Sequence, residues 1–164
     1  MEIKTPRLTL VRFSSNDFAS LMDLFTHEEV MASSMGIMTE AEVEEWLDRA
    51  QKVELPFAHL AIRYQNQTIG YAGLQLDDAQ RVAVGYRLRR QHWGQGLATE
   101  AVKYLLDWAW TVIPHQEIIA TIEPINKGSI AVVKKLNFSL EGQIMLPGYS
   151  HPDDVYVLKR PDAS

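Results

Sequence analysis

Cysteine is absent from this 164-residue chain. That excludes disulfides, a thiol nucleophile and thiolate-bound metals. Long apolar runs are absent too. None reaches the roughly 18–20 residues of a membrane span. The opening MEIKTPRLTL lacks the basic and apolar regions of a secretion signal. The sequon Asn66-Gln67-Thr68 therefore carries no expectation of glycosylation. Basic charge is in deficit: 16 Lys and Arg face 21 Asp and Glu, a formal net charge of −5. Nucleic-acid binders carry the opposite balance, so neither nucleic acid nor a membrane is expected as a partner. The histidines, at 27, 59, 92, 115 and 151, form no H-x-x-x-H or H-E-x-x-H pair, and no metal site is expected. Repeats and low-complexity segments are missing. A cytoplasmic location is the expectation that these absences leave.

What is present suits one domain over residues 1–164, with 46% hydrophobic residues to fill its core. RLTLVRF alternates, with Leu8 and Leu10 on one face, and reads as a strand. In SSNDFASLMDLF, Phe18, Leu21, Met22 and Phe25 share a helical face that Ser14 or Ser15 can cap. VMASSMGIM, residues 30–38, has no clean period. It reads as an apolar loop, either a lid over a substrate site or a dimer contact. Thr39 and Glu42 form a capping box, opening a helix that buries Val43, Trp46, Leu47 and Ala50.

FAHLAIRY and TIGYAGLQL are strands joined by a hairpin at Gln65, Asn66 and Gln67, and RVAVGYRL is a third strand. A helix then runs from Gly96 or Leu97 to about Val112, with Ala98, Ala101, Val102, Leu105, Leu106 and Ala109 on one face. EIIATIE is a short buried strand. NKGSIAVVKKLN is a helix with Asn126 as its cap. FSLEGQIM and DDVYVLKR close the chain as strands. The order β-α-α-β-β-β-α-β-α-β-β contains one strand-helix-strand crossover, which makes RVAVGYRL and EIIATIE parallel. The remaining pairs are expected to be antiparallel, giving a mixed-sheet α/β domain.

The chemistry concentrates in RRQHWGQGLATEAV, residues 89–102. A strand ends at Leu88 and a helix starts near Gly96. Helix starts present unpaired N–H groups and partial positive charge. Glycine admits φ > 0 and close approach of backbone to an anion. Arg89, Arg90 and His92 add positive character. A lone G-x-G also fits an ordinary turn. G-x-x-x-x-G-K-[ST] is absent, and Thr99 stands where a dinucleotide fingerprint needs its third glycine.

The combination of Q-x-x-G-x-G at residues 91–96 with ATIEPINKGSIAVVKKLNF some thirty residues later resembles the acyl-coenzyme A binding core of the GNAT acetyltransferase superfamily. KTPRLTLVRF and HWGQGLATEA resemble its ribosomal-protein N-terminal acetyltransferase branch. The likeness extends over almost the whole chain. It implies a single-domain GNAT fold: a mixed, mostly antiparallel sheet, a central parallel pair splayed around the cofactor, and helices on both faces. It implies that Gln91, His92, Trp93, Gly94, Gln95, Gly96, Leu97 and Ala98 wrap the pyrophosphate of acetyl-coenzyme A. Tyr86 and Leu88 would pair with the pantetheine arm, and a backbone N–H between them would polarise the thioester carbonyl. Asn126 and Ser129 match the family's N-x-x-S.

The implied reaction is transfer of the acetyl group to a primary amine, on a protein N-terminus or a small molecule. The amine must be neutral. At pH 7 about 0.04% of a lysine side chain is neutral, against roughly 10–15% of an α-amine, so an α-amine needs less help from a base. Ala83 stands where many relatives carry a glutamate base, and Val133 where many carry a tyrosine that protonates the thiolate. Glu123 is the candidate base, with His151, Asp153 and Asp154 as others, although SHPDD also reads as a polar turn. Ser129 is the candidate thiolate donor, and also a residue of the helix cap. Asn137 replaces the family's usual glycine at a helix end, where asparagine tolerates a left-handed conformation. Met31, Met35, Met38, Tyr71 and Tyr149 are candidate acceptor-pocket residues. The losses at 83 and 133 leave a non-catalytic acyl-coenzyme A binding or sensing module as the alternative. Monomer and homodimer are both compatible with the sequence.

Overall fold

The computed structural model describes residues 1–33 and 36–162. Among them, β1 (Glu2–Lys4), β2 (Thr9–Val11), β3 (His59–Tyr64), β4 (Gln67–Leu76), β5 (Val82–Leu88), β6 (Glu117–Ile122), β7 (Ser139–Ile144) and β8 (Asp153–Lys159) form one sheet. Its order is β1-β2-β3-β4-β5-β6-β8-β7. The helices are α1 (Phe18–Phe25), α2 (Glu28–Met31), α3 (Glu40–Lys52), α4 (Leu97–Val112) and α5 (Lys127–Lys135). The β5–β6 pair is parallel and the other pairs are antiparallel, as the crossover rule requires.

Two elements escape the sequence pattern. β1 is three residues long with Ile3 alone buried, too short to show a period. α2 is a single turn inside the segment read as a loop; the His27 imidazole accepts from the Val30 N–H, and Val30 and Met31 are buried. The local signals elsewhere hold. Thr39 and Glu42 form a reciprocal capping box. Gln65 and Asn66 take φ of 50° and 64° in the β3–β4 hairpin, and Asn137 takes 68° after α5. The buried Asp17 accepts from the Ser14 N–H at 2.8 Å and the Thr68 hydroxyl at 2.6 Å, tying the start of α1 to β4.

The sheet separates two apolar layers. In β3, Leu60 and Ile62 join the layer of α4 and α5, while Ala61 between them joins that of α1, α2 and α3. This is the two-residue alternation of a strand covered on both faces. The decisive irregularity lies at the centre. β5 and β6 pair at Val82↔Ile118 and Ala83↔Ile119, and their further residues share no ladder. Each strand keeps its other neighbour, β4 or β8, so the sheet is held together around an opening.

In the second layer His59 stacks on Trp46 at 5.5 Å with a 3° interplanar angle and lies 5.0 Å from Tyr71. Burial lowers its pKa to about 4. The folded value lies below the unfolded one near 6.5, so the unfolded state takes up this proton first. Stability from a neutral His59 is complete above pH 6.5 and falls as the pH drops toward about 4. This one group supplies a slope of up to ~1.4 kcal/mol per pH unit. Thermal melts of His59→Phe are expected to show a flatter profile than the native chain between those values. Parallel profiles would remove His59 as a source of acid sensitivity.

Candidate active site

The end of β5 leads through a short turn, Arg90–His92, into Trp93, Gly94, Gln95 and Gly96, and then α4. Gly94 and Gly96 have φ of +75° and +76°. Gly96 is the N-cap of α4 and no side chain caps the helix. The first N–H groups of this 16-residue helix therefore have neither intrahelical nor side-chain acceptors. Such a start attracts an anion.

The turn is braced from the far end of the sequence. The Arg7 guanidinium donates to the Gln95 carbonyl at 3.0 Å and to Glu100 at 2.7 Å. The Arg7 N–H and the Thr5 hydroxyl donate to the other Glu100 oxygen at 2.8 and 2.6 Å. Burial raises the Glu100 pKa, but the bonds from Thr5 and Arg7 outweigh it and hold the carboxyl below its ordinary range. Arg7 was not among the sequence candidates. It stands some ninety residues from its partners, and no local spacing marks it.

A cavity of about 550 Å³ lies between this turn, α5 and the open edge of β5. His92, Trp93, Gly94 and Gly96 border it from the turn, and Leu97 and Ala98 from α4. Tyr86 and Leu88 border it from β5, Asn126 and Ser129 from α5. Gln91 and Gln95 stand outside its wall; the Gln95 amide donates to the Gln91 carbonyl at 3.2 Å. Lys127 and Lys135 also border it. The positive character expected of Arg89 and Arg90 is engaged elsewhere: Arg89 pairs with Asp23 and Arg90 with Glu29, both at 2.6 Å. Arg90 also lies over the Trp93 ring at 4.8 Å.

Backbone alternation decides what the opening offers. Arg89 donates its N–H to the Ile69 carbonyl of the β4 side at 2.8 Å. Counting back by twos, Arg87, Gly85 and Ala83 face β4, whereas Tyr86 and Leu88 turn their N–H and C=O groups toward the opening. The Trp93 indole N–H takes the Leu88 carbonyl at 3.0 Å. The Tyr86 hydroxyl donates to the Ser129 carbonyl at 2.8 Å, and burial pushes its pKa up. Asn126 caps α5 by accepting from the Ser129 N–H at 3.1 Å. Its amide donates to the Ser33 hydroxyl at 3.1 Å. Glu29, Val30, Ala32 and Ser33 thus wall this same cavity opposite α5. Val30 and Met31, read in the sequence as part of a loop, lie instead in a helical turn anchored in the second core.

Other groups lie on the opposite face of the opening. Ala83 packs with Ile119 and Val155, an apolar contact on this face. Val133, in the layer of α4 and α5, is fully buried. Glu123 follows β6, is 9% exposed, and contacts His151 Nε2 at 2.5 Å; Ser150 lies 3.2 Å from His151 Nδ1. Asp153 is buried, and burial followed by the Glu123 charge raises its pKa. Burial, with Asp153 and Glu123, also raises that of Tyr149, against an opposing pull from Arg87. Among the acceptor-pocket candidates, Met38 and Tyr71 pack into the second core. Met35 lies outside the described residues. Among the described residues, no group of three or more His, Cys, Asp or Glu is placed to hold a metal, and no helix is long and apolar enough to cross a membrane.

Residues 7–139 match the family model for the acetyltransferase (GNAT) domain. This chain belongs to the GNAT acetyltransferase family. A GNAT member is an N-acetyltransferase, a class of enzyme that draws its acetyl group from acetyl-coenzyme A. Over 147 residues the chain is 33% identical to the uncharacterized N-acetyltransferase p20 of Bacillus licheniformis, covering 84% of this chain and 82% of that one. Its fold superposes on a GNAT acetyltransferase from Bacillus anthracis with a TM-score of 0.85 at 20% identity, over 97% and 98% of the two chains. The RimL ribosomal L7/L12 α-N-protein acetyltransferase in complex with coenzyme A gives 0.83 at 17% identity, again over 97% and 98%. At those identities the two structures establish the GNAT fold.

Removing the Arg7 brace leaves the Glu100 carboxylate and the Gln95 carbonyl short of donors. Urea unfolding of Arg7→Ala is expected to show a loss of about 1–2 kcal/mol. Arg7→Lys, which lacks the planar fork, is expected to recover part of it. Undiminished stability in Arg7→Ala would show that the brace contributes nothing to the fold.

Proposed function

We propose that this GNAT enzyme moves the acetyl group of acetyl-coenzyme A to a primary amine by direct attack on the thioester. The observation that carries the reading is the opening between β5 and β6, which ends against a helix start with no side-chain cap and two left-handed glycines. An extended pantetheine arm can complete the ladder that β5 lacks, using the groups that Tyr86 and Leu88 turn toward it. The turn from His92 to Gly96 and the first N–H groups of α4 then meet the pyrophosphate. Gln91 and Gln95 hold the turn in shape, and Lys127 and Lys135 offer cations to the remaining phosphate.

Three steps fall to the chain's own groups. The N–H groups of Tyr86 and Leu88 are oxyanion donors, fixed in direction before the substrate arrives. Ser129, on the cavity wall, hydrogen-bonds the departing thiolate, since Val133 has no hydroxyl. Glu123 accepts the amine proton. The alternative of an acyl-coenzyme A sensing module is favoured by one observation: positions 83 and 133 are apolar and buried.

Calorimetry with coenzyme A tests the site. The double variant Gly94→Val, Gly96→Val is expected to stay folded by circular dichroism and to lose binding by more than tenfold, since valine tolerates φ > 0 poorly. Undiminished affinity in the folded variant rejects the cradle. For the base, Glu123→Gln is expected to lower kcat by roughly 10²-fold with the KM for acetyl-coenzyme A unchanged. Retention of both kcat and the ascending limb of the native pH–rate profile would assign that limb to the acceptor amine alone.

A further inference from the structure

Glu123 follows Ile122, whose partner Asp154 is the last in the β6–β8 ladder, and Asp153 precedes Asp154 on β8. The two carboxylates are near enough for the Glu123 charge to raise the Asp153 pKa. Arg160 donates its N–H to the Gln116 carbonyl at 2.7 Å, which sets the phase of the ladder. Counting by twos makes 122/154, the last pair of that ladder, a hydrogen-bonded one. Both side chains share the face of Ile119 and Val155, on the opposite side of the opening from the cavity.

Like charges set close together destabilise a sheet unless a cation answers them. Glu123 has a hydrogen-bond partner, His151 Nε2 at 2.5 Å. Asp153 has none at one oxygen: the side chain is 6% exposed, and Oδ1 has no hydrogen-bond partner in the described structure. A buried, unpartnered carboxylate oxygen is costly. Among the described residues, the charged or titratable groups of this layer include Arg87, whose guanidinium contacts the Met31 sulfur, Tyr149, Tyr71, and His59 beside Gly85.

We infer that Glu123 and Asp153, with His151 behind Glu123, form the acceptor site for an ammonium whose molecule carries no nearby carboxylate. This rests on the acetyltransferase reading above and names its substrate class. The two carboxylates clasp the ammonium. Glu123 takes one proton and passes it to His151, which is half-exposed and releases it to solvent. The nitrogen lone pair then forms the N–C bond, the C–S bond breaks with its electron pair on sulfur, and the second departing amine proton ends on that sulfur. Ammonium plus thioester gives amide, thiol and one released proton. A zwitterion brings its own carboxylate against the pair and is repelled.

Three acceptors of equal chain length and similar amine basicity test the charge rule: 1,4-diaminobutane, butylamine and 4-aminobutanoate. Thiol release from acetyl-coenzyme A reports turnover without interference, because the chain has no cysteine. The expected order of kcat/KM is diamine, then butylamine, then 4-aminobutanoate, the last roughly tenfold below butylamine. Asp153→Asn is expected to compress the order and raise the acceptor KM while leaving the acetyl-coenzyme A KM unchanged, with a melting temperature no lower than native. A carboxyl-amidated tripeptide distinguishes a peptide N-terminus from a free polyamine as the source of the ammonium; preference for either supports the site. Turnover with equal rates for all three amines, or preference for 4-aminobutanoate, overturns the inference and leaves the transferase reading intact. Coenzyme A binding with no amine turned over overturns both.

Discussion

Two parallel strands that stop pairing leave backbone groups without a ladder, and the organisation of this enzyme follows from that. β5 and β6 share a ladder at Val82↔Ile118 and Ala83↔Ile119 and then part. Buried N–H and C=O groups must find partners. The Trp93 indole supplies one, at the Leu88 carbonyl. The β-sheet stays whole because β4 and β8 hold the outer edges of the two strands. An opening with fixed backbone donors is thereby built into the middle of a rigid sheet.

The surroundings keep that opening in shape. Glycines at φ near +75° let the chain turn from β5 into α4 without a side-chain cap. Arg7 and Thr5 brace the turn through Glu100. Arg89 and Arg90 pair with acids of α1 and α2, joining the turn to the segment that walls the cavity's other side. Electrostatics then differ between the two faces. Lysines and uncapped N–H groups border the cavity, with Glu29 tied to Arg90, and Glu123 and Asp153 are buried on the far face. Under the proposed reading the phosphate-bearing donor enters the opening from one side and the amine from the other.

Much of this was legible in the chain. Period-two and period-3.6 patterns marked the longer elements, and the crossover rule oriented β5 against β6. The capping box at Thr39 and Glu42, the hairpin at Gln65 and Asn66, and the left-handed Asn137 follow from side-chain chemistry over a few residues. β1 and α2 were not legible, because three or four residues contain no period. The loop read over residues 30–38 begins later than expected, because Val30 and Met31 form a helical turn buried in the core of α1 and α3, which no local pattern encodes.

The sequence by itself determined the family and the order of the longer elements, because those depend on short-range spacing: two glycines at a helix start, Asn126 and Ser129 at another. Tertiary structure alone decided the rest. It brought Arg7 to Gln95 and Glu100, His151 to Glu123, and Asp153 within the influence of the Glu123 charge. These pairs are separated by 28 to more than 90 positions in the chain. Their chemistry depends on distance and burial, which sheet register sets and sequence spacing does not.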